Sequence, residues 1–279
     1  MARVNNQRPR YGLIIIDGKE AGLVSILEAG IFKNALHGVI LDCGPIWFDG
    51  FGSIDDFQIF MEAFTAQFPK RFGRRVRVTS GFKNSEQAKD IMRMHGFKTP
   101  NREGYKTIWL DLREDEDALR QNLKKKWRNS LSKAERQGLD IVWSDEGQHF
   151  GWLIENYAKD KAEKNYHNVS LKTFMKLAVQ FSGGKKMLQG TALFDGKPIA
   201  AIVCLNHGLA STYQIGYASE TGREKCATHL LLWDVIAQLK ERKIYDFDLG
   251  GINEEGATNV GKFKSGMGGK EFETLGLYC

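Results

Sequence analysis

From Leu139 onward the apolar patterning prescribes one order of elements, and few folds accept it. Residues 139–143 read as a strand, 148–164 and 170–181 as two helices, then 188–194, 199–205 and 211–217 as successive strands. Asp195-Gly196 between the first two of these is a two-residue hairpin signal, because both positions tolerate positive φ. A long helix over 224–242 follows, with a broad apolar face of Leu230, Leu231, Trp233, Ile236, Ala237 and Leu239. A strand over 244–249 and a closing strand over 272–278 flank a glycine-rich segment. The order β-α-α-β-β-β-α-β-α-β combines hairpins with a crossover helix. It therefore requires a mixed sheet covered by helices, an α/β layer.

The first hundred residues alternate in the same way. Strands are expected at 10–17, 39–43 and 74–79, and helices at 19–30 and 84–95, stopped by Gly30 and Gly96. Ser53 is placed as an N-cap, and Phe57, Phe60, Met61, Phe64 and Phe68 behind it form a helical core stripe. A further strand over 105–112 leads into a helix over 119–137, with the acidic run 114–117 before it, the order that complements a helix dipole. Its apolar stripe is Leu119, Leu123, Trp127, Leu131 and Ala134. The opposite side carries Lys124, Lys125, Arg128, Lys133 and Arg136. That side reads either as a solvated face or as a contact for phosphates. No aromatic residue interrupts it, so base stacking is not indicated. A chain of 279 residues suits two medium domains, 1–104 and 105–279.

The net charge of +6 suits an anionic partner without demanding one. Cys43, Cys204, Cys226 and Cys279 have no metal-ligand spacing, and the apolar neighbours of Cys43 and Cys204 imply buried thiols. The N-terminus lacks an apolar leader core, and no apolar run approaches the length of a membrane span, so a cytoplasmic location without membrane insertion is expected.

The glycine-rich segment starts at Asp248-Leu249-Gly250-Gly251 and ends at Phe263-Lys264-Ser265-Gly266-Met267-Gly268-Gly269. Glycines at a strand exit allow positive φ or close approach to a ligand. A lysine beyond such a turn can meet a phosphate or a developing oxyanion. The same text also fits a plain turn with a solvated lysine.

Four pieces of local text resemble one family. Arg128-Asn129 with Lys133-Ala134-Glu135 and Gly138, the Gly44-Pro45 turn, Tyr245-Asp246-Phe247-Asp248-Leu249-Gly250-Gly251, and Phe263-Lys264 before Gly268-Gly269 resemble the motifs of the FemXAB family, within the acyl-CoA N-acyltransferase (GNAT) fold. Met267 stands where an aromatic residue is usual. FemXAB proteins are aminoacyl-tRNA-dependent transferases that build peptidoglycan bridges. The resemblance implies two tandem GNAT-like domains, the first degenerate, with no coiled-coil arm. It implies that Lys264 stabilises the transition state or the tRNA end, that Phe263 packs beside it, and that Lys164 binds the acceptor's phosphates. GNAT enzymes that use CoA often carry a glycine-rich pyrophosphate loop. Here that place reads Arg223-Glu224-Lys225-Cys226-Ala227-Thr228, without a glycine, although Arg223 and Lys225 can still meet phosphates.

Acyl transfer to an amine needs a neutral amine, juxtaposed reactants and a stabilised tetrahedral oxyanion. No covalent nucleophile, cofactor or metal is required. Lys264 is the candidate for the oxyanion; Asp248 orients the amine or caps its turn. Tyr213 and Tyr217, counted two by two along a strand, line an acceptor groove or are half-buried strand aromatics. Gly250 and Gly251 let substrate approach. Lys124, Lys125, Arg128, Lys133 and Arg223 are candidates for tRNA or other phosphates. The histidines read as structural. Three functions fit: aminoacyl transfer from aminoacyl-tRNA to an amine of a UDP-linked or lipid-linked muropeptide or a similar acceptor, acyl transfer from acyl-CoA, and non-catalytic RNA binding.

Overall fold

A computed structural model describes residues 9–98, 103–164, 170–252 and 258–279. In chain order the elements are β1 (Pro9–Ile16), β2 (Lys19–Ile31), β3 (Leu36–Gly44), β4 (Ile46–Trp47), α1 (Ile54–Gln67), β5 (Arg74–Lys83), α2 (Glu86–Met94) and β6 (Lys106–Asp111). They continue as α3 (Glu116–Asn122), α4 (Lys125–Ala134), β7 (Asp140–Ser144), α5 (Phe150–Lys164), α6 (Leu171–Phe181), β8 (Met187–Phe194), β9 (Lys197–His207) and β10 (Ala210–Ala218). The last are α7 (Glu220–Glu224), α8 (Ala227–Glu241), β11 (Asp246–Asp248), α9 (Thr258–Ser265) and β12 (Lys270–Tyr278). The chain divides into two compact units: residues 1–106 with 272–279, and residues 107–271. Most of the closing strand thus groups with the first unit.

In the first unit the strands are ordered β1-β2-β3-β5-β12, with β4 on β2. β3 and β5 are parallel and the other pairs antiparallel. The helix expected over 19–30 is instead the strand β2. Asp17 and Gly18 both take positive φ, +49° and +74°, the hairpin geometry that returns the chain directly along β1. Ladder hydrogen bonds then outweigh the helix propensity of Lys19-Glu20-Ala21. α1 starts on a capping box: the Ser53 hydroxyl accepts the Asp56 N–H and the Asp56 carboxylate accepts the Ser53 N–H. Its buried stripe of Phe57, Phe60, Met61 and Phe64 packs with Leu41, Val78, Met92 and Tyr278 into one core. Cys43 is exposed, contrary to expectation, because the β3–β5 register breaks between Asp42 and Gly44 and turns it outward; Cys204 is fully buried.

In the second unit the order is β6-β11-β10-β9-β8-β7, with β10 and β11 parallel and the rest antiparallel. Asp195 and Gly196 form the expected β8–β9 turn at φ +50° and +72°. Leu231, Leu232, Val235, Ile236 and Leu239 of α8 lie in one core with Ile202, Cys204 and Phe247. Two expected helices are each broken. The basic helix over 119–137 splits into α3 and α4 because Leu123 and Lys124 are extended, at ψ 134° and 145°. The break is held from outside: the Lys124 N–H donates to Gly266 O (2.9 Å), and the Arg128 guanidinium donates to Gln121 O (3.0 Å) and Leu123 O (2.9 Å). The helix over 224–242 begins only at Ala227, after Cys226 in the left-handed region at φ +55°.

Candidate active site

β10 and β11 run side by side for only three residue pairs, Ala210–Asp246, Ser211–Phe247 and Thr212–Asp248. Beyond them β10 continues along β9 to Ala218, whereas β11 stops at Asp248. The sheet therefore opens into a fork. At its mouth β10 carries a bulge: Tyr213 pairs with Cys204 and Ile215 with Val203, and Gln214 between them is skipped by the ladder. Gln214 thus has no paired residue on β9.

The β11 arm ends in a tied turn. Asp248 is buried and accepts from the Thr107 hydroxyl and from the Gly250 N–H (2.8 Å). Of the two roles open to Asp248, capping the turn is the one its hydrogen bonds display. Gly250 takes φ +76°, and a Cβ there would lie 2.7 Å from Tyr213 O and 3.3 Å from the Lys264 ammonium. Glycine at this position thus allows three groups to meet. Thr212 links outward, its hydroxyl 3.5 Å from Asp248 Oδ2 and 2.8 Å from His207 Nε2. Burial holds the His207 pKa below its usual value, and the Asp248 charge opposes that shift.

Lys264 stands in the last turn of α9 and is only 8% exposed. Its Nζ donates to Gly251 O at 2.9 Å and lies 5.5 Å from the centre of the Tyr213 ring. The lysine is therefore fixed at the fork and not solvated. Gly268 and Gly269, at φ +80° and +83°, bring the chain against α3 and β6. Their missing Cβ atoms would meet Asn122 O at 2.8 Å and Trp109 O at 2.5 Å. The neighbouring Phe263 packs in an aromatic cluster. Its ring packs 6.2 Å from Trp127 and edge-on to His229 at 4.9 Å, with Trp127 and His229 5.0 Å apart. Burial drives the His229 pKa down to about 4, so this imidazole is neutral beside the two rings. The Trp127 indole N–H is buried without a hydrogen-bond partner among the described residues.

The bulge also separates the two tyrosines. A Cβ at Gly216 would meet the Tyr213 hydroxyl at 2.3 Å, so Tyr213 and Gly216 share a face and Tyr217 lies on the other, its ring 5.6 Å from Trp152 of α5. Two-by-two counting fails at this point. Tyr213 is half-buried under the fork, and desolvation there raises its phenol pKa.

The basic candidates divide by contact. Lys124 reaches Ser265 Oγ at 3.3 Å, next in sequence to Lys264. Lys125 and Lys133 are exposed on α4. Arg128 is occupied with the last carbonyls of α3. Arg223 donates to Ala218 O (2.8 Å). Lys225 reaches Gln137 Oε1 and stands 3.8 Å over the Phe194 ring. Lys164 closes α5, and its side chain lies outside the described residues. Thr107, Thr212, Gln214 and His229 were not singled out as site residues in the sequence. Thr107 carries no local signal, since only pairing of β6 with β11 brings it to Asp248.

Among the described residues no cluster of His, Cys, Asp and Glu is placed to hold a metal, and no helix is long and apolar enough to cross a membrane. The acetyltransferase (GNAT) domain family model matches residues 118–264, just over half of the chain, and the chain belongs to that family. Comparison with curated proteins finds no match. Among solved structures, FemX superposes with a TM-score of 0.76 at 13% identity, over 99% of this chain and 89% of that one. The C-terminal domain of a putative lysylphosphatidylglycerol synthetase from Agrobacterium fabrum gives 0.59 at 14% identity, over 99% and 84%. A conserved protein of unknown function from Bacteroides thetaiotaomicron gives 0.57 at 12%, over 96% and 84%. The fold is thus the one that the FemXAB resemblance implies, and family and fold make the chain an N-acyltransferase of the GNAT type.

Proposed function

We propose that the chain transfers an aminoacyl group from aminoacyl-tRNA to an amine of a UDP-linked or lipid-linked muropeptide, or of a similar acceptor. The observation that carries this reading is Lys264, held at the strand fork by Gly251 O and the Tyr213 ring. The neutral acceptor amine attacks the ester carbonyl and forms the amide C–N bond. The oxyanion develops toward the Lys264 ammonium and the backbone skipped at the β10 bulge. The ester C–O bond breaks, and the departing ribose hydroxyl takes up the proton that the amine loses. These steps need no covalent enzyme intermediate and no cofactor.

The tRNA donor rests on two supports. Lys125 and Lys133 stay exposed on α4, and Lys124 joins that basic side to the Lys264 segment through Ser265. At the usual pyrophosphate position, Arg223 and Lys225 are turned to Ala218 and Gln137. One observation favours acyl-CoA as the second reading: α8 starts without a side-chain cap, so its first N–H groups can meet a phosphate.

Incubation with tRNA charged with a labelled amino acid and a UDP-linked muropeptide tests the proposal. Label should pass to the muropeptide, and Lys264→Met should lower the rate by about 10²–10³ with the melting curve retained. Transfer from acetyl-CoA but not from charged tRNA sinks the tRNA reading. Tight RNA binding that survives Lys264→Met, without transfer from either donor, leaves an RNA-binding module.

A further inference from the structure

The part of the first unit's sheet formed by β1, β2, β3 and β4 is apolar on both faces, yet among the described residues the helices contribute to a core on only one. Val24, Val39, Leu41 and Val78 point into the core with α1. The alternate positions point the other way. Leu13 pairs with Leu23, Leu23 with Ile46, and Ile31 with Leu36, so one apolar stripe crosses β1, β2, β3 and β4. Its members are well exposed, Ile15 at 61%, Ile46 at 65% and Tyr11 at 70%. Strands that are apolar on both sides belong in a sheet covered on both sides, and an exposed apolar patch of this extent marks an interface.

The charges at the two ends of this face identify the occupant. Asp17 and Glu20 stand, with Lys19, at the end where β1 turns into β2, whereas Asp42 and Arg77 stand midway along the strands. Lys33, Arg71 and Arg75 stand at the opposite end, around the β2–β3 turn and the start of β5. We infer that this face is the dimer interface of a second copy of this chain, packed sheet against sheet about a two-fold axis lying across the strands. Such an axis reverses the strands and sets each acidic end against the partner's basic end. An axis along the strands would set like charges together. Two aligned sheets packed in this way form the inner faces of a β-sandwich. An anionic membrane would attract the basic end but repel the acidic one.

The test is sedimentation equilibrium and light scattering of the full chain. The expected result is a particle of twice the 31.5 kDa chain mass. Leu23→Glu should weaken the dimer by about 100-fold, and Glu20→Lys with Asp17→Asn by about 10-fold. Adding Lys33→Glu and Arg75→Glu to that pair should restore it. All four positions carry side chains away from the core, so melting curves should stay close to that of the parent. A chain that is monomeric at 100 times its assay concentration overturns the inference, as does a dimer indifferent to Leu23→Glu. A monomer that floats with phosphatidylglycerol vesicles, and loses this with Leu23→Glu, assigns the face to a membrane instead.

Discussion

Gly250 sets the geometry of the fork by lacking one carbon. Its φ of +76° belongs to the left-handed region, and a methyl group there would press on Tyr213 O and on the Lys264 ammonium. Gly250→Ala is expected to cost about 1–3 kcal/mol and to reduce transfer more than that destabilisation explains, because Lys264 must shift; thermal melting and initial rates on one preparation check both. His229 gives a pH signature. Its folded pKa is about 4, below the usual 6.5, with burial as the cause. The unfolded chain therefore takes up a proton from about pH 6.5 downward, and the folded chain only near pH 4. This contribution to stability is intact above pH 6.5, is lost progressively between 6.5 and 4, and levels off below. Replacing His229 with Gln should flatten that limb in denaturant titrations across the window.

Single residues could be proposed from text alone where the chemistry is local, as for Lys264 behind its glycines. Element boundaries were less legible. Residues 119–137 keep one apolar stripe through Leu119, Leu123, Trp127 and Leu131, all buried, although the helix breaks between α3 and α4. Periodicity is blind to a break that preserves the stripe, and the cause lies far along the chain in the carbonyl of Gly266. β2 departs from its composition for a related reason: Lys19-Glu20-Ala21 favours helix, and the Asp17-Gly18 turn overrules it. The break separates the basic residues into two kinds. Arg128→Ala should cost about 1 kcal/mol of stability, since it removes a cap on α3. Lys125→Ala and Lys133→Ala should leave melting unchanged but each reduce the salt dependence of RNA affinity by about one ion. Filter binding across a salt series, beside thermal melts, distinguishes them.

For the molecule, the division into units is not a division of the sequence. Tyr278 lies at the far end of the chain, is 1% exposed, and packs in the core of the first unit with α1 and α2. Tyr278→Ala should cost about 3–5 kcal/mol, with hydrogen-exchange protection lost across β3 and β5 before β8 and β9. Protection lost equally everywhere would show that the units melt as one. By itself, the sequence determined the layered α/β class, most strands and helices, and the lysine worth testing. Those follow from periodicities and turn chemistry that a chain carries locally. Only the tertiary structure decided that β10 and β11 part, that Thr107 and Gly250 tie down Asp248, and that Lys264 is held at the fork. These depend on hydrogen bonds between residues far apart in sequence, and no local pattern encodes which strand will be a neighbour.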